Sequence, residues 1–205
     1  MAGNSSILFK ITGILVGHIN LPPIPSVIVA SLEGKVIAIT GAGTGIGRAT
    51  AQVLASRDAI VSIADLNKEA LDETLASLQP SKESTRSHFA TYLNVTSSSA
   101  VNEWIKDTVQ KLGPLSGAAD VAGMSTGLKP PRDSFDGDWD FTMDVNGKGV
   151  FYSLRAQLAF SGLVDGGSIA NVASVVGLRS LPNTACYIAS KHVVVGLTRA
   201  AARKV

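Results

Sequence analysis

The sequence predicts a three-layer α/β/α domain built on a doubly wound parallel sheet. From Lys35 onward short apolar runs alternate in strict turn with amphipathic stretches, the first junction between them is a run of glycines, and no repeat or linker divides the chain. Strand and helix in turn require crossover connections, which lay the strands parallel and cover both faces of the sheet. A chain of 205 residues suits one well-buried domain.

The elements follow in order. "KVIAIT" (35–40) is a β-branched run that ends in glycines and reads as a buried strand. "GIGRATAQVLASR" reads as the first helix and "AIVSIAD" (59–65) as the second strand. The second helix, "NKEALDETLASL" (67–78), puts Ala70, Leu71, Thr74, Leu75 and Leu78 on one face, with Asn67 as N-cap. Pro80 and the polar run to Ser87 make a loop, and "SHFATYL" (87–93) is the third strand. Val101, Trp104, Ile105, Thr108 and Leu112 recur at helical spacing until Gly113-Pro114 stops the third helix. "SGAADVAG" gives strand four, a single long helix is expected from Phe135 to Phe160, "GSIANVAS" gives strand five, and the last helix starts near Thr184.

The first 31 residues read differently. They are apolar but contain Lys10, His18, Asn20 and the prolines Pro22, Pro23 and Pro25, and no apolar run reaches the ~20 residues of a membrane helix. A poorly ordered leader ahead of a domain at 32–205 is expected; the alternative, a signal or anchor, lacks a basic start and a small-residue cleavage site. A net charge of +2 with dispersed Lys and Arg disfavours a nucleic-acid partner. One cysteine, Cys186, excludes an internal disulfide and points to a reducing, cytoplasmic compartment.

"TGAGTGIG" (40–47) lies where the first strand gives way to the first helix. Glycines there permit a tight turn and bring backbone N–H groups, with the helix N-terminus behind them, close to a pyrophosphate. Gly41, Gly45 and Gly47 follow the spacing GxxxGxG. Asp65 stands at the carboxyl end of strand two, eighteen residues past Gly47. An acidic group there accepts from both adenosine ribose hydroxyls and repels a 2′-phosphate, which favours NAD over NADP; the other reading makes Asp65 a solvated cap. Arg48 lies close enough to soften that preference.

Tyr187 and Lys191 are four apart on the last helix and share a face. A free phenol titrates near ~10, and a neighbouring ammonium favours the phenolate, so the pair could exchange a proton near neutrality. Ser174, at the end of strand five, would lie on the same carboxyl edge of the sheet. Alone, a Tyr and a Lys at this spacing are commonly surface neighbours.

The glycine loop, Asp65, Ser174 and Tyr187-x-x-x-Lys191 together make the region from Leu32 to Val205 similar to the short-chain dehydrogenase/reductase family. "YIASKHVVVGLTRAAA" resembles members of fungal type. The resemblance implies a Rossmann-type domain that interconverts a small-molecule secondary alcohol and a ketone with NAD, or NADP, in secondary metabolism. It implies a catalytic set of Asn146, Ser174, Tyr187 and Lys191, in which Asn146 supports a proton-relay water. It adds Thr44, Ile46, Asn94, Val95 and Gly123 to Gly41, Gly45, Gly47, Asp65, Tyr187 and Lys191 as cofactor-binding positions. It also implies a homodimer or homotetramer joined through the long helices, with no membrane partner.

Two departures from the family pattern stand out. Asp120, in "DVAG", occupies a position where an asparagine is usual, and the family's later strands and substrate-covering segment have no counterpart after Val205. The expectation is therefore a C-terminally truncated chain, and the alternative function is a non-catalytic nucleotide-binding or interaction remnant. The remaining candidates read blandly. His18, His88 and His192 lack metal-ligand spacing, so no metal site is expected; Cys186 reads as a packed thiol, "DSFDGDWD" as a solvated loop and helix start, and Arg155 and Gln157 as surface or interface residues.

Overall fold

In β1 (Val36–Thr40) four of five residues are buried, as expected of a strand covered on both faces. The computed structural model describes residues 32–80 and 86–202, and the leader expected over 1–31 lies outside them. The order is β1, α1 (Gly45–Ala55), β2 (Ile60–Asp65), α2 (Lys68–Ser77), β3 (Phe89–Tyr92), α3 (Ser98–Leu112), β4 (Gly117–Asp120), α4 (Asp136–Met143), α5 (Gly149–Phe160), β5 (Ser168–Asn171) and α6 (Ala185–Ala202). All strand pairs are parallel and the sheet order is β3-β2-β1-β4-β5. This is the doubly wound fold that the alternation predicts.

The core forms two clusters, one on each face of the sheet. Ile39, Val61 and Ile63 pack with Ala51, Ala55, Leu71 and Leu78 of the α1 and α2 layer. Ala38, Ile60 and Ala118 pack with Val101, Trp104, Ile105, Leu112 and Ala156 of the α3 and α5 layer. The helical spacing read from the sequence gave all five core residues of α3. Trp104 is fully enclosed because its indole N–H has a partner: it donates to Ser62 Oγ at 3.0 Å, and Ser62 in turn lies 2.7 Å from Thr108 Oγ1. Asn67 caps α2 through its side chain, which accepts the Ala70 N–H at 2.9 Å.

Two expectations about elements need correction. The helix expected to run unbroken from Phe135 to Phe160 is α4 and α5 joined by a π-helical segment, Asp144–Lys148, that contains Asn146. One extra residue per turn re-aims the side chains within it. Strand five ends at Asn171, so Ser174 is not its last residue; it caps a 3₁₀ turn at Val175–Gly177. Among the described residues no helix is long and apolar enough to cross a membrane.

Candidate functional site

The chain runs from β1 outward through β2 and β3, then returns to place β4 on the other side of β1. At such a reversal the loops leaving the two central strands diverge and a crevice opens at their carboxyl ends. Here those loops also touch. Gly41 has φ +68°, and a Cβ on it would lie 2.6 Å from the backbone nitrogen of Ala122, just past β4. Thr40 Oγ1 holds the second loop in place by accepting the N–H groups of Val121 and Ala122 at 3.1 and 3.3 Å.

The glycine loop closes on itself. A Cβ on Gly47 would lie 2.0 Å from the Gly41 carbonyl oxygen, so the first turn of α1 can meet the loop only without a side chain there. Thr44, Gly45 and Ile46 form the exposed lip. Because α1 starts at Gly45, its first-turn N–H groups, which have no intrahelical acceptor, belong to this loop.

Asp65 closes the next side. Its Oδ2 accepts the Gly43 N–H and its Oδ1 the Asn67 N–H, each at 2.8 Å. A carboxylate offers about four acceptor sites, so two remain open. One Asp65 oxygen organises the start of α2, as the cap reading has it, and the other grips the glycine loop. Gly43, which the sequence reading passed over, is needed for this: a Cβ on it would lie 2.9 Å from Asp65 Cγ. A glycine inside a phosphate-type loop was the available signal. Arg48 does not reach outward. Its Nε donates to the Gly43 carbonyl at 2.9 Å and to Thr74 Oγ1 at 3.0 Å, and its Nη2 to the Ala70 carbonyl at 3.3 Å and Glu73 at 3.1 Å.

Asn94 and Val95 follow β3 on the same edge of the sheet. The Asn94 carboxamide oxygen accepts the Thr96 N–H at 3.0 Å and the Thr96 hydroxyl at 2.9 Å. Val95 packs so closely on α5 that a Cβ on Gly149 would lie 2.9 Å from Val95 Cγ2.

On the far side of the crevice, Tyr187 and Lys191 stand one turn apart on α6, with the ammonium 5.6 Å from the phenol ring centroid. Lys191 is 4% exposed and anchored: Nζ donates to the Val172 carbonyl at 2.9 Å, leaving two N–H groups. Burial pushes the Lys191 pKa below the ordinary lysine value. The Tyr187 hydroxyl has no hydrogen-bond partner among the described residues. Ser174 Oγ accepts the Val176 N–H at 3.3 Å, and a Cβ on Gly177 would lie 2.9 Å from the Lys191 carbonyl oxygen. The Ser174 turn is thus pressed onto the helix that carries Tyr187 and Lys191.

Asn146 ties these parts together from the π segment. It is fully buried, its Oδ1 accepts the Met124 N–H at 2.8 Å, and its Nδ2 donates to the Met124 carbonyl at 2.8 Å and to Ser190 Oγ at 2.9 Å. Ser190 donates onward to the Tyr187 carbonyl at 2.8 Å. The Asn146 carboxamide is thus tied to Met124 and Ser190 through three hydrogen bonds. A Cβ on Gly123 would lie 3.2 Å from Asn146 Oδ1 and 3.3 Å from Lys191 Nζ, so the loop after β4 threads between both halves of the site. The sequence reading missed Thr40 and Ser190, which are short polar residues with no motif of their own.

Gln157, expected at the surface or an interface, is fully buried and donates through Nε2 to Asp120 Oδ1 at 2.9 Å. Asp120 needs a partner inside, and α5 supplies it. Desolvation raises the Asp120 carboxyl to about 7, opposed by the Gln157 hydrogen bond. Arg155 does lie outside, with Nη2 on Ser98 Oγ at 2.7 Å and its guanidinium over the Phe151 and Tyr152 rings.

The family model for short chain dehydrogenase matches residues 35–205. The chain belongs to the short-chain dehydrogenase family. Among curated relatives, the short-chain dehydrogenase/reductase ABA4 of Pyricularia oryzae is 44% identical over 176 residues, which is 84% of this chain and 64% of that protein. The chanoclavine-I dehydrogenase easD of Claviceps purpurea is 38% identical over 82% of this chain and 67% of its own length. Among solved structures, NAD+-bound xylitol dehydrogenase superposes with a TM-score of 0.78 at 32% identity, covering 84% of this chain and 65% of that one. Carveol dehydrogenase from Mycobacterium avium in complex with NAD gives 0.75 at 30% identity, covering 83% and 65%. The chain thus spans 64% of the length of the ABA4 relative.

Proposed function

We propose that this chain is the nucleotide-binding and proton-transfer part of an NAD(H)-dependent oxidoreductase that interconverts a secondary alcohol and a ketone. The observation that carries the reading is the pairing of Tyr187 with a buried, anchored Lys191 on the same sheet edge as the Asp65–Gly43 contact. The cofactor fits the residues present. Close packing at Gly41, Gly43 and Gly47 compacts the loop, and Gly45 has open space around it. The first-turn N–H groups of α1 lack intrahelical acceptors and suit a pyrophosphate, and the two open acceptor sites on Asp65 match two ribose hydroxyls. Xylitol dehydrogenase and carveol dehydrogenase, both with NAD bound, support the same choice. Thr44, Ile46, Asn94, Val95 and Gly123 would contact the cofactor between its two ends.

A bound nicotinamide would supply or accept the hydride. The work of the chain is to manage the accompanying proton. Tyr187 gives its phenolic proton to the forming alkoxide, or takes one from an alcohol in the other direction, and its unpartnered hydroxyl is free to do so. Lys191 stabilises the phenolate by charge, and its two remaining N–H groups can hold ribose hydroxyls. Ser174 presents a hydroxyl that orients the substrate oxygen. Asn146 keeps Met124, Ser190 and hence the Tyr187 turn in register. Exposed Phe141, Phe151 and Trp139 on α4 and α5 favour assembly into a homodimer or homotetramer.

Titration with NADH and NADPH, followed by nicotinamide fluorescence, tests the first half of the reading. Saturable binding with NADH the tighter ligand is expected, followed by turnover of a panel of ketones that Tyr187→Phe abolishes. A folded chain that binds neither nucleotide would refute it.

A further inference from the structure

Asp65 disfavours a 2′-phosphate, yet Arg48 places a cation in the same corner. Gly43 joins the two, since its N–H is held by Asp65 and its carbonyl by Arg48 Nε. A guanidinium one peptide unit away from the ribose-binding carboxylate would attract the very group that Asp65 repels. Glu73, one turn along α2 from Glu69, supplies the counter-charge: its Oε2 lies 3.1 Å from Arg48 Nη2.

We propose that Glu73 is a specificity-determining residue of the cofactor site, offsetting the Arg48 charge so that the adenosine pocket favours NAD over NADP. The proposal rests on the NAD(H) reading given above. Glu73 acts through Arg48, which it contacts. The geometry of the clamp does not depend on the charge of Glu73, because Gly43, Thr74 and Ala70 hold three of the four contacts of the guanidinium. Charge and position can therefore be separated.

The separating variant is Glu73→Gln, which keeps an oxygen acceptor for Nη2 and removes only the negative charge. Glu73 has a side chain 70% exposed, so the substitution leaves the fold intact. Dissociation constants for NADH and NADPH are measured on the 205-residue chain by nicotinamide fluorescence at low and high ionic strength. The ratio should move toward NADPH by about two- to fourfold at low salt, the scale of an exposed charge interaction, and return toward wild type in 0.5 M salt. In Arg48→Met/Glu73→Gln the gain should vanish, because the cation that produces it is gone. A purely structural role for Glu73 would leave the ratio unchanged. An unchanged ratio in Glu73→Gln, with wild type binding NADH normally, overturns the inference alone. A wild-type chain that binds neither nucleotide overturns the NAD(H) reading and the inference together.

Discussion

Gln157 donates to Asp120 Oδ1 across 2.9 Å in a place closed to water, and neither the other carboxyl oxygen, Asp120 Oδ2, nor the amide oxygen, Gln157 Oε1, has a partner among the described residues. Two acceptors without a donor are costly, and a proton on Asp120 supplies the missing donor. Among the described residues no charged side chain offsets the buried carboxylate, and desolvation raises its pKa to about 7. An unfolded aspartate titrates near ~3.9, so between about pH 4 and 7 the folded chain binds the extra proton. Stability from this group is therefore full below about pH 4, falls as pH rises through about 7, and is level above that. Asp120→Asn mimics the neutral acid. Its advantage over wild type should be about 1–2 kcal/mol at pH 5 and grow toward a limit of about 4 kcal/mol by pH 8 to 9. Urea melts at those pH values measure it, and parallel stability curves for the two proteins would sink the assignment.

Tyr187→Phe and Lys191→Met should separate chemistry from binding. Phenylalanine keeps the ring beside the Lys191 ammonium, so NADH affinity should stay within about threefold while turnover falls by about 10²–10⁴, the range of general acid–base catalysis. Lys191→Met removes both the charge and the donor to the Val172 carbonyl, and should weaken NADH binding as well as turnover. Equal loss of NADH affinity in both variants would count against the division of roles.

What the sequence made legible was whatever repeats or clusters locally. The strand–helix alternation, the α3 face and the glycine loop were all readable because each is written in neighbouring residues. Asn146 was found by resemblance, but its π-helical setting was not, because that turn is fixed by Met124 and Ser190, which lie 22 and 44 residues away. Gln157 was misplaced for a related reason. A polar residue on a helix reads as solvated unless its buried partner, here Asp120 on β4, is known. Ser174 was expected to end strand five and Arg48 to lie near Asp65, but their contacts depend on a 3₁₀ turn and on α2 respectively.

Gly43→Ala and Gly45→Ala should have opposite profiles. Gly43 does not have a positive φ, so alanine brings little backbone strain there, but its Cβ would press on Asp65 Cγ at 2.9 Å and displace the carboxylate. NADH affinity should drop by about tenfold or more with a modest change in melting temperature. Gly45 has φ +52° and open space around a Cβ, so alanine there costs about 1–2 kcal/mol of backbone strain. Its stability loss should exceed that of Gly43→Ala. Isothermal titration and thermal melts on both variants make the comparison; the reverse ranking would contradict the loop geometry.

Ser190 and Asn146 should behave as a coupled pair. The Ser190 hydroxyl accepts from Asn146 Nδ2 and donates to the Tyr187 carbonyl, so Ser190→Ala strands a buried amide N–H and releases the turn that carries the phenol. Losing one such partner costs about 1–3 kcal/mol. Asn146→Ala should cost more, because it also frees both backbone groups of Met124. Since the two residues share one hydrogen bond, the double variant should lose less than the sum of the singles, with a coupling of about 0.5–3 kcal/mol. A structural role alone would show only in melting temperature. If Ser190 positions Tyr187, Ser190→Ala should also shift the pH–rate profile of the ketone reaction, and Ser190→Thr, which keeps the hydroxyl, should restore it. Additive stability losses combined with an unmoved profile would leave Ser190 as packing and nothing more.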